Sequence, residues 1–497
     1  LLTKIALERL NQSAKALGLS TSELVLKYVP ELGREVSQIS PKRIIPTSEQ
    51  KNIVCGFANG ENILVDARSG TGKSTTLFMC ADRIELGKKG LYICFNTHTA
   101  KDALARLPKN CEAKTINSLA YAQVGVLYRS RIKNFISNSF IAEYYDLSIF
   151  SAFLNEYGAA SLIKETLCNF CSSNSKQILV SHVNSDVINQ FSGKERKTLI
   201  ENTLSYATDM WNNMIDVDSS FPVLHEFYMK LYELQEFHLD YDYILIDEVQ
   251  DLTPAMLAAL YRQKTQIISV GDKYQDLYQW KFKSKDNDIV IHNVIHYKLT
   301  RSWRFGNNVA YAANQELRNI GAIEDELIDE VRSKKSDNYS LMESILICRT
   351  IEGCFLESLS AELRHKKTYK YLGVLNQVKG YGKGLCDLLN SVQPSHPSLM
   401  THRNWGEFEY WAESKATETV KDIIRLVNSI SVRQFKDYVD SLDTDESGDL
   451  ICTVNRCKGK EWNKVRLSND FNDQADSKVL AVQKYVAITR SITTASF

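Results

Sequence analysis

The sequence predicts an α/β protein with two parallel-sheet domains, and three observations predict it. Apolar runs of strand length alternate with helical patterns from Pro46 onward. One of these runs opens into a glycine turn followed by Lys-Ser-Thr, and a second alternating set follows from residue 296. Such alternation places parallel strands in a sheet with helices on both faces, so each strand is buried on two sides and reads as a continuous apolar run.

Composition sets the bounds. At 497 residues, 44% apolar and 24% charged, the chain has material for about two to four globular domains. It shows no secretory leader and no apolar run of membrane-spanning length, so a cytoplasmic setting is expected, or a nuclear one in a eukaryote. Sixty basic and 60 acidic residues cancel to zero net charge, so a nucleic-acid partner would have to be held by a local groove. The 11 cysteines are scattered, and the close pair Cys168 and Cys171 lacks the second pair a metal site needs. They read as reduced core thiols.

In chain order, residues 1–45 form a small helical extension. Its stretch "QSAKALGLSTSELV" has a spacing similar to helix-turn-helix units, though a plain helical hairpin is the reading it favours. Residues 46–295 form the first α/β domain, with "ENILVDA", "GLYICFN", "YDYILIDE" and "TQIISVGD" as buried strands. Between about 122 and 230 the strand signal gives way to helical, aromatic-rich sequence, which reads as an insertion. Residues 296–497 form the second domain, with "SILICRT", "LICTVNR" and "SITTASF" as strands and a helical block at about 375–445.

The chemistry starts at "NILVDARSGTGKSTTLF". Strand, glycine turn and helix in this order make a phosphate-binding loop, which points to ATP. Gly70, Thr71 and Gly72 let backbone N–H groups turn toward phosphate oxygens, and the helix that opens with Lys73, Ser74 and Thr75 aims its positive end at the same place. Lys73 supplies charge to the outer phosphates and the Ser74 hydroxyl is placed to ligate Mg2+. Ala67 stands where the strict pattern has its first glycine. Downstream, "YILIDEVQDLTP" sets two adjacent acids at the mouth of a strand. Asp247 is expected to hold the Mg2+, and Glu248 to polarise the water that attacks the terminal phosphate.

Further motifs follow in an order that resembles superfamily 1 DNA helicases of the UvrD/PcrA/Rep type, nearest to the F-box DNA helicase group without its F-box. The resemblance runs from about Pro46 to the C-terminus and implies two RecA-like domains, the first with a 1B insertion and the second with a reduced 2B insertion. In "PTSEQKNIV", Gln50 would read adenine; in "CFNTHTAKDAL", Phe95 and Asn96 would touch single-stranded DNA. In "VGDKYQDLYQWKF", Gln275 would sense the γ-phosphate, while Tyr278 and Trp280 stack on bases and Lys281 replaces the usual Arg. In "TRSWRFGNN", Arg304 aligns with the motif IV arginine and Trp303 with the aromatic that stacks on adenine. In "TVNRCKGKEW", Glu461 is expected at the ribose, and in "YVAITRS" Arg490 is the arginine finger. Two family histidines are replaced, by Asn117 and Asn455.

The resemblance implies an ATP-dependent translocase or helicase moving 3′-to-5′ on single-stranded or tailed duplex DNA. The rival expectation is an ATP-gated DNA sensor, a regulatory subunit that works with a protein partner such as a nuclease and does not unwind by itself. The two Asn replacements and the small 2B region motivate that rival.

Overall fold

The computed structural model describes residues 45–496 except 86, 95, 278–292, 330, 332–343, 395, 397, 400–401, 444–448 and 474–475. The N-terminal extension and the strand-contacting candidates Phe95, Tyr278, Trp280 and Lys281 lie outside the described residues. The chain divides into two compact units at Asn52, within helix α1 (Ser48–Ala58). In the first unit, Thr47 N–H donates to Gln50 Oε1 at 3.0 Å and Gln50 N–H donates to Thr47 Oγ1 at 3.1 Å. This reciprocal pair satisfies N–H groups that a helix start leaves without backbone partners.

The second unit holds two all-parallel sheets. The first contains β1 (Asn62–Ala67), β2 (Gly90–Ile93), β3 (Cys111–Lys114), β4 (Tyr243–Asp247), β5 (Gln266–Gly271) and β6 (Val294–Leu299), in the order β3-β2-β4-β5-β1-β6. Helix α2 (Lys73–Ala81) follows β1 and α3 (Thr97–Leu104) follows β2. Between β3 and β4 the chain is helical from Ile116 to Leu234, its longest helix being α4 (Gly193–Ile215). The aromatic richness of this block is its own core: Trp211 packs on Phe170 and Phe227, with ring centroids 5.1 Å apart in each pair.

Helix α5 (Asn307–Ile320) leads to the second sheet, which contains β7 (Ser344–Cys348), β8 (Tyr369–Tyr371), β9 (Asp449–Thr453), β10 (Trp462–Leu467) and β11 (Ser491–Ser496). Its order is β11-β10-β7-β9-β8. Helices α6 (Ile351–His365) and α7 (Leu375–Leu389) flank β8, and α8 (Ser477–Ile488) precedes β11. Each sheet is covered on both faces, as successive side chains of β4 show. Ile244 and Ile246 pack toward the helical block, whereas Leu245 packs with Ile63, Val65 and Leu77 on the other face. No described helix is long and apolar enough to cross a membrane.

Four strands carry no apolar run and escape the sequence reading. β3 and β6 are edge strands with solvent on part of their surface, β8 has three residues, and β10 alternates buried and exposed positions. The boundary expected at 295/296 falls inside β6, which pairs with β1 from Asn62↔Val294 to Ala67↔Leu299. The first sheet therefore extends to Leu299, because an edge strand reading "VIHYKL" gives no two-sided apolar signal.

Gly353, in the first turn of α6, marks a close approach. A Cβ there would stand 2.0 Å from Asp470 Oδ2. Asp470 is buried and accepts from Arg349 N–H and Thr350 N–H, each at 2.9 Å, and so fixes the turn between β7 and α6. Gly353→Ala is expected to displace that carboxylate and to cost about 2 kcal/mol. The check is the thermal unfolding midpoint, which should fall relative to wild type.

Candidate active site

The sheet order decides what meets. β5 lies between β1 and β4, and Val270 of β5 is level with both Val65 of β1 and Asp247 of β4. The three strand ends therefore open at one edge, the place where parallel α/β sheets bind ligands. After β1 the chain turns through Gly70 at φ +74° and Gly72 at φ +85°, a left-handed region open to glycine at little cost. Gly72 caps α2 with no side-chain hydrogen bond, so the N-terminal donors of that helix face the loop unoccupied by a capping oxygen. Thr71 is turned back, its hydroxyl donating to Arg68 O at 2.8 Å, and Thr75 lies in the first turn of α2.

The acids divide by environment. Ser74 Oγ donates to Asp247 Oδ2 at 2.6 Å, and Tyr92 Oη donates to the same oxygen at 2.5 Å. Burial raises the Asp247 carboxyl, and the neighbouring Glu248 charge adds to that rise. For Glu248 burial also acts upward, but Lys73, Gln250, Lys458 and Arg490 outweigh it and hold the carboxylate below its usual range. Lys73 Nζ stands 3.5 Å from Glu248 Oε2, and Gln250 Nε2 donates to that oxygen at 2.8 Å. Glu248 itself has φ +50°, a left-handed backbone that bends the chain away from β4 as the strand ends.

Two arginines arrive from the other side of the cleft. Arg304, on the segment between β6 and α5, donates through Nη1 to Ser69 Oγ at 2.7 Å and through Nε to Glu461 Oε1 at 2.7 Å. Arg490, between α8 and β11, donates through Nη2 to the same Ser69 Oγ at 3.2 Å and to Gln275 Oε1 at 3.0 Å. Burial and the neighbouring Arg490 charge push the Arg304 guanidinium down to about 10. Trp303 N–H donates to Gly70 O at 2.8 Å, while the Arg301 guanidinium lies 5.1 Å above the Trp303 ring.

The donor set fits a nucleoside triphosphate with Mg2+. The crowded guanidinium pair would be relieved by an anion, and the Ser74 hydroxyl beside the Asp247 carboxylate gives two hard oxygens of the kind Mg2+ takes together with substrate phosphates. Among the described residues, no group of three or more His, Cys, Asp or Glu side chains could hold a metal by itself, so a cation here would depend on such shared ligands.

Of the residues expected at the site, Gly70, Thr71, Gly72, Lys73, Ser74, Thr75, Asp247, Glu248, Gln275, Trp303, Arg304, Glu461 and Arg490 lie along this cleft. Asn96, expected at DNA rather than in this cleft, is the exposed N-cap of α3, accepting from Thr99 N–H at 2.8 Å. Asn455 is exposed and lines a separate polar cavity of about 520 Å³ with Arg349, Gln377 and Arg456. Sequence reasoning gave no role to Tyr92, Arg68, Asp272, Tyr485, Asp251 or Lys458. The last two form a buried ion pair across the cleft, and Lys458 Nζ also donates to Gln275 O at 2.9 Å. Lys458 falls within "CKGKEW" and Tyr485 opens "YVAITRS", so both were in view without a partner to give them meaning.

Residues 50–281 match the AAA domain family. The chain is 31% identical over 477 residues to F-box DNA helicase protein 1 of Schizosaccharomyces pombe, covering 87% of this chain and 53% of that protein. It is 26% identical over 467 residues to F-box DNA helicase 1 of Gallus gallus, covering 86% and 45% respectively. The chain thus spans about half the length of the curated relatives it matches. A chain from a structure of two coordinating Pif1 helicases unwinding forked double-stranded DNA aligns over 91% of this chain and 92% of its own, with 13% identity and a TM-score of 0.33.

Asp251 gives a pH test. Its side chain is 6% exposed; burial pushes the carboxyl from 3.8 up to about 6, and Lys458 offsets only part of this. The folded chain then holds a proton that the unfolded chain releases between those values. Stability from this group is complete below pH 3.8 and is lost as the pH rises through about 6. Asp251→Asn lacks that loss. Urea unfolding should show the variant gaining on wild type by up to roughly 3 kcal/mol from pH 4 to 7; a constant difference across the range would remove the assignment.

Proposed function

We propose, from its distant homology to the F-box DNA helicases, that this superfamily 1 helicase-like chain hydrolyses ATP to translocate along single-stranded DNA and to separate tailed duplexes. The 3′-to-5′ polarity is part of the proposal and rests on the resemblance of the motifs. One observation carries the reading: Arg304 and Arg490, approaching from opposite ends of the second domain, converge on the single hydroxyl of Ser69 in the phosphate loop.

The roles follow from that convergence. Lys73 and the loop N–H groups bind the triphosphate; Ser74 and Asp247 would hold Mg2+, which would neutralise charge on the outer phosphates. Glu248, kept ionised by its cationic surroundings and held by Gln250, takes the proton of the attacking water. Arg304 and Arg490 stabilise charge on the transferring phosphoryl group, Gln275 reports the γ-phosphate to Arg490, and Glu461 aligns Arg304 and meets the ribose. Trp303 stacks on the adenine.

Movement comes from electrostatics. Two crowded guanidinium groups repel each other in the closed cleft and are drawn together by a polyphosphate, so closure is favoured with ATP and relaxed after hydrolysis. Asn96, Phe95, Tyr278, Trp280 and Lys281 grip the strand through stacking and charge, which works on any base sequence because every base has a π-face.

Steady-state ATPase of wild type and Glu248→Gln, each without nucleic acid, with single-stranded DNA and with 3′-tailed duplex, tests the proposal. DNA should accelerate the wild type, and Glu248→Gln should lose about 10²–10⁴-fold in kcat while still binding ATP. Single-turnover unwinding should open 3′-tailed and spare 5′-tailed duplex. Hydrolysis indifferent to DNA, or a duplex left paired despite hydrolysis, moves the sensor reading ahead.

A further inference from the structure

Tyr485 belongs to α8 in the second domain, yet its hydroxyl ends inside the first. The side chain is fully buried. Its Oη donates to Asp272 Oδ2 at 2.7 Å and accepts from Ser69 N–H at 3.2 Å. One hydroxyl thus joins the phosphate loop to the carboxylate that follows β5.

Asp272 is the centre of this cluster. It is fully buried; Oδ1 accepts from Tyr274 N–H at 3.1 Å and lies 3.5 Å from Arg68 Nη1, while Oδ2 also accepts from Gln275 Nε2 at 2.7 Å. Gln275 then offers its Oε1 to Arg490. The chain of contacts runs from Ser69 through Tyr485 and Asp272 to Gln275 and back to Arg490, five residues after Tyr485. Burial and the Asp272 charge raise the phenol well above its ordinary range, so it stays the donor. Ring packing alone needs no such bridge: a phenylalanine would sit in the same apolar core, which also holds Val482, Val486 and Phe305.

We infer that Tyr485 is a positioning residue for the proposed hydrolysis: its hydroxyl sets the Ser69 turn and, through Asp272, the Gln275 amide only when the second domain closes on the first. Opening of the cleft withdraws the hydroxyl, which leaves Ser69 N–H to water and Asp272 Oδ2 with Gln275 Nε2 alone, while the Gln275 Oε1 loses Arg490, so the amide keeps one of its two anchors. Cleft closure is thereby coupled to the placement of the γ-phosphate sensor. The inference rests on the ATP-hydrolysis reading above.

Tyr485→Phe deletes the hydroxyl and keeps the ring. DNA-stimulated kcat should fall about tenfold, with KM for ATP and the affinity for a non-hydrolysable ATP analogue unchanged within about twofold. Combined with Gln275→Ala, the double variant should be no slower than Gln275→Ala alone, because both changes act through one amide. Losses that multiply, or a kcat equal to wild type, overturn the inference. Should Tyr485→Phe not fold, Asp272→Asn replaces one acceptor oxygen of the bridge by a donor and should give the same kcat-only loss; an unchanged kcat overturns it equally. A wild type without ATPase activity in the same assay refutes the parent reading instead, and the inference falls with it.

Discussion

The cleft depends on how closely residues 302–304 approach the phosphate loop at Gly70. A Cβ on Gly70 would stand 2.5 Å from Arg304 Cβ and 2.6 Å from Ser302 Oγ, so no side chain fits there. The backbone bond from Trp303 N–H to Gly70 O fixes this contact at 2.8 Å, and Arg68 N–H repeats it one step earlier by donating to Leu299 O at 2.8 Å. β6 therefore serves as more than an edge strand. Its end delivers Arg304 to the loop, and the rest of the cleft, from Glu461 to Arg490, assembles around that fixed point.

Charge around this point is separated into two layers. Below, Asp247 carries its hydroxyl partners in a buried, carboxyl-raising environment suited to a cation. Above, Glu248 sits among Lys73, Lys458 and Arg490, which keep it ionised. Adjacent carboxylates are thereby given opposite surroundings by a single backbone turn, and opposite surroundings are what lets neighbouring acids do different chemistry.

Much of this was legible in the sequence, for definable reasons. β1, β2, β4 and β5 announce themselves because a strand covered on both faces must be apolar throughout or nearly so, and the loop after β1 is constrained to Gly70 and Gly72 by left-handed backbone. β6 and β10 were not legible, since a strand with one wet face or irregular alternation resembles a loop. The site shows the same divide. Lys73, Asp247 and Arg490 stand out because few residue types can do what their positions require. Tyr92 and Tyr485 do not, because a tyrosine in an apolar run looks like core until its hydroxyl partner, 155 or 213 residues away, is known.

The left-handed backbone of Glu248 has a consequence for how this chain can vary. A side-chain-bearing residue held at φ +50° costs the fold on the order of 1 kcal/mol, a cost that glycine or asparagine at this position would largely remove. Selection for a sturdier protein and selection for a working carboxylate therefore favour different residues at one position. Where the carboxylate has the part in hydrolysis proposed for it, a lineage released from that need would drift toward the relaxed residue, so the identity of position 248 would record whether the need persists.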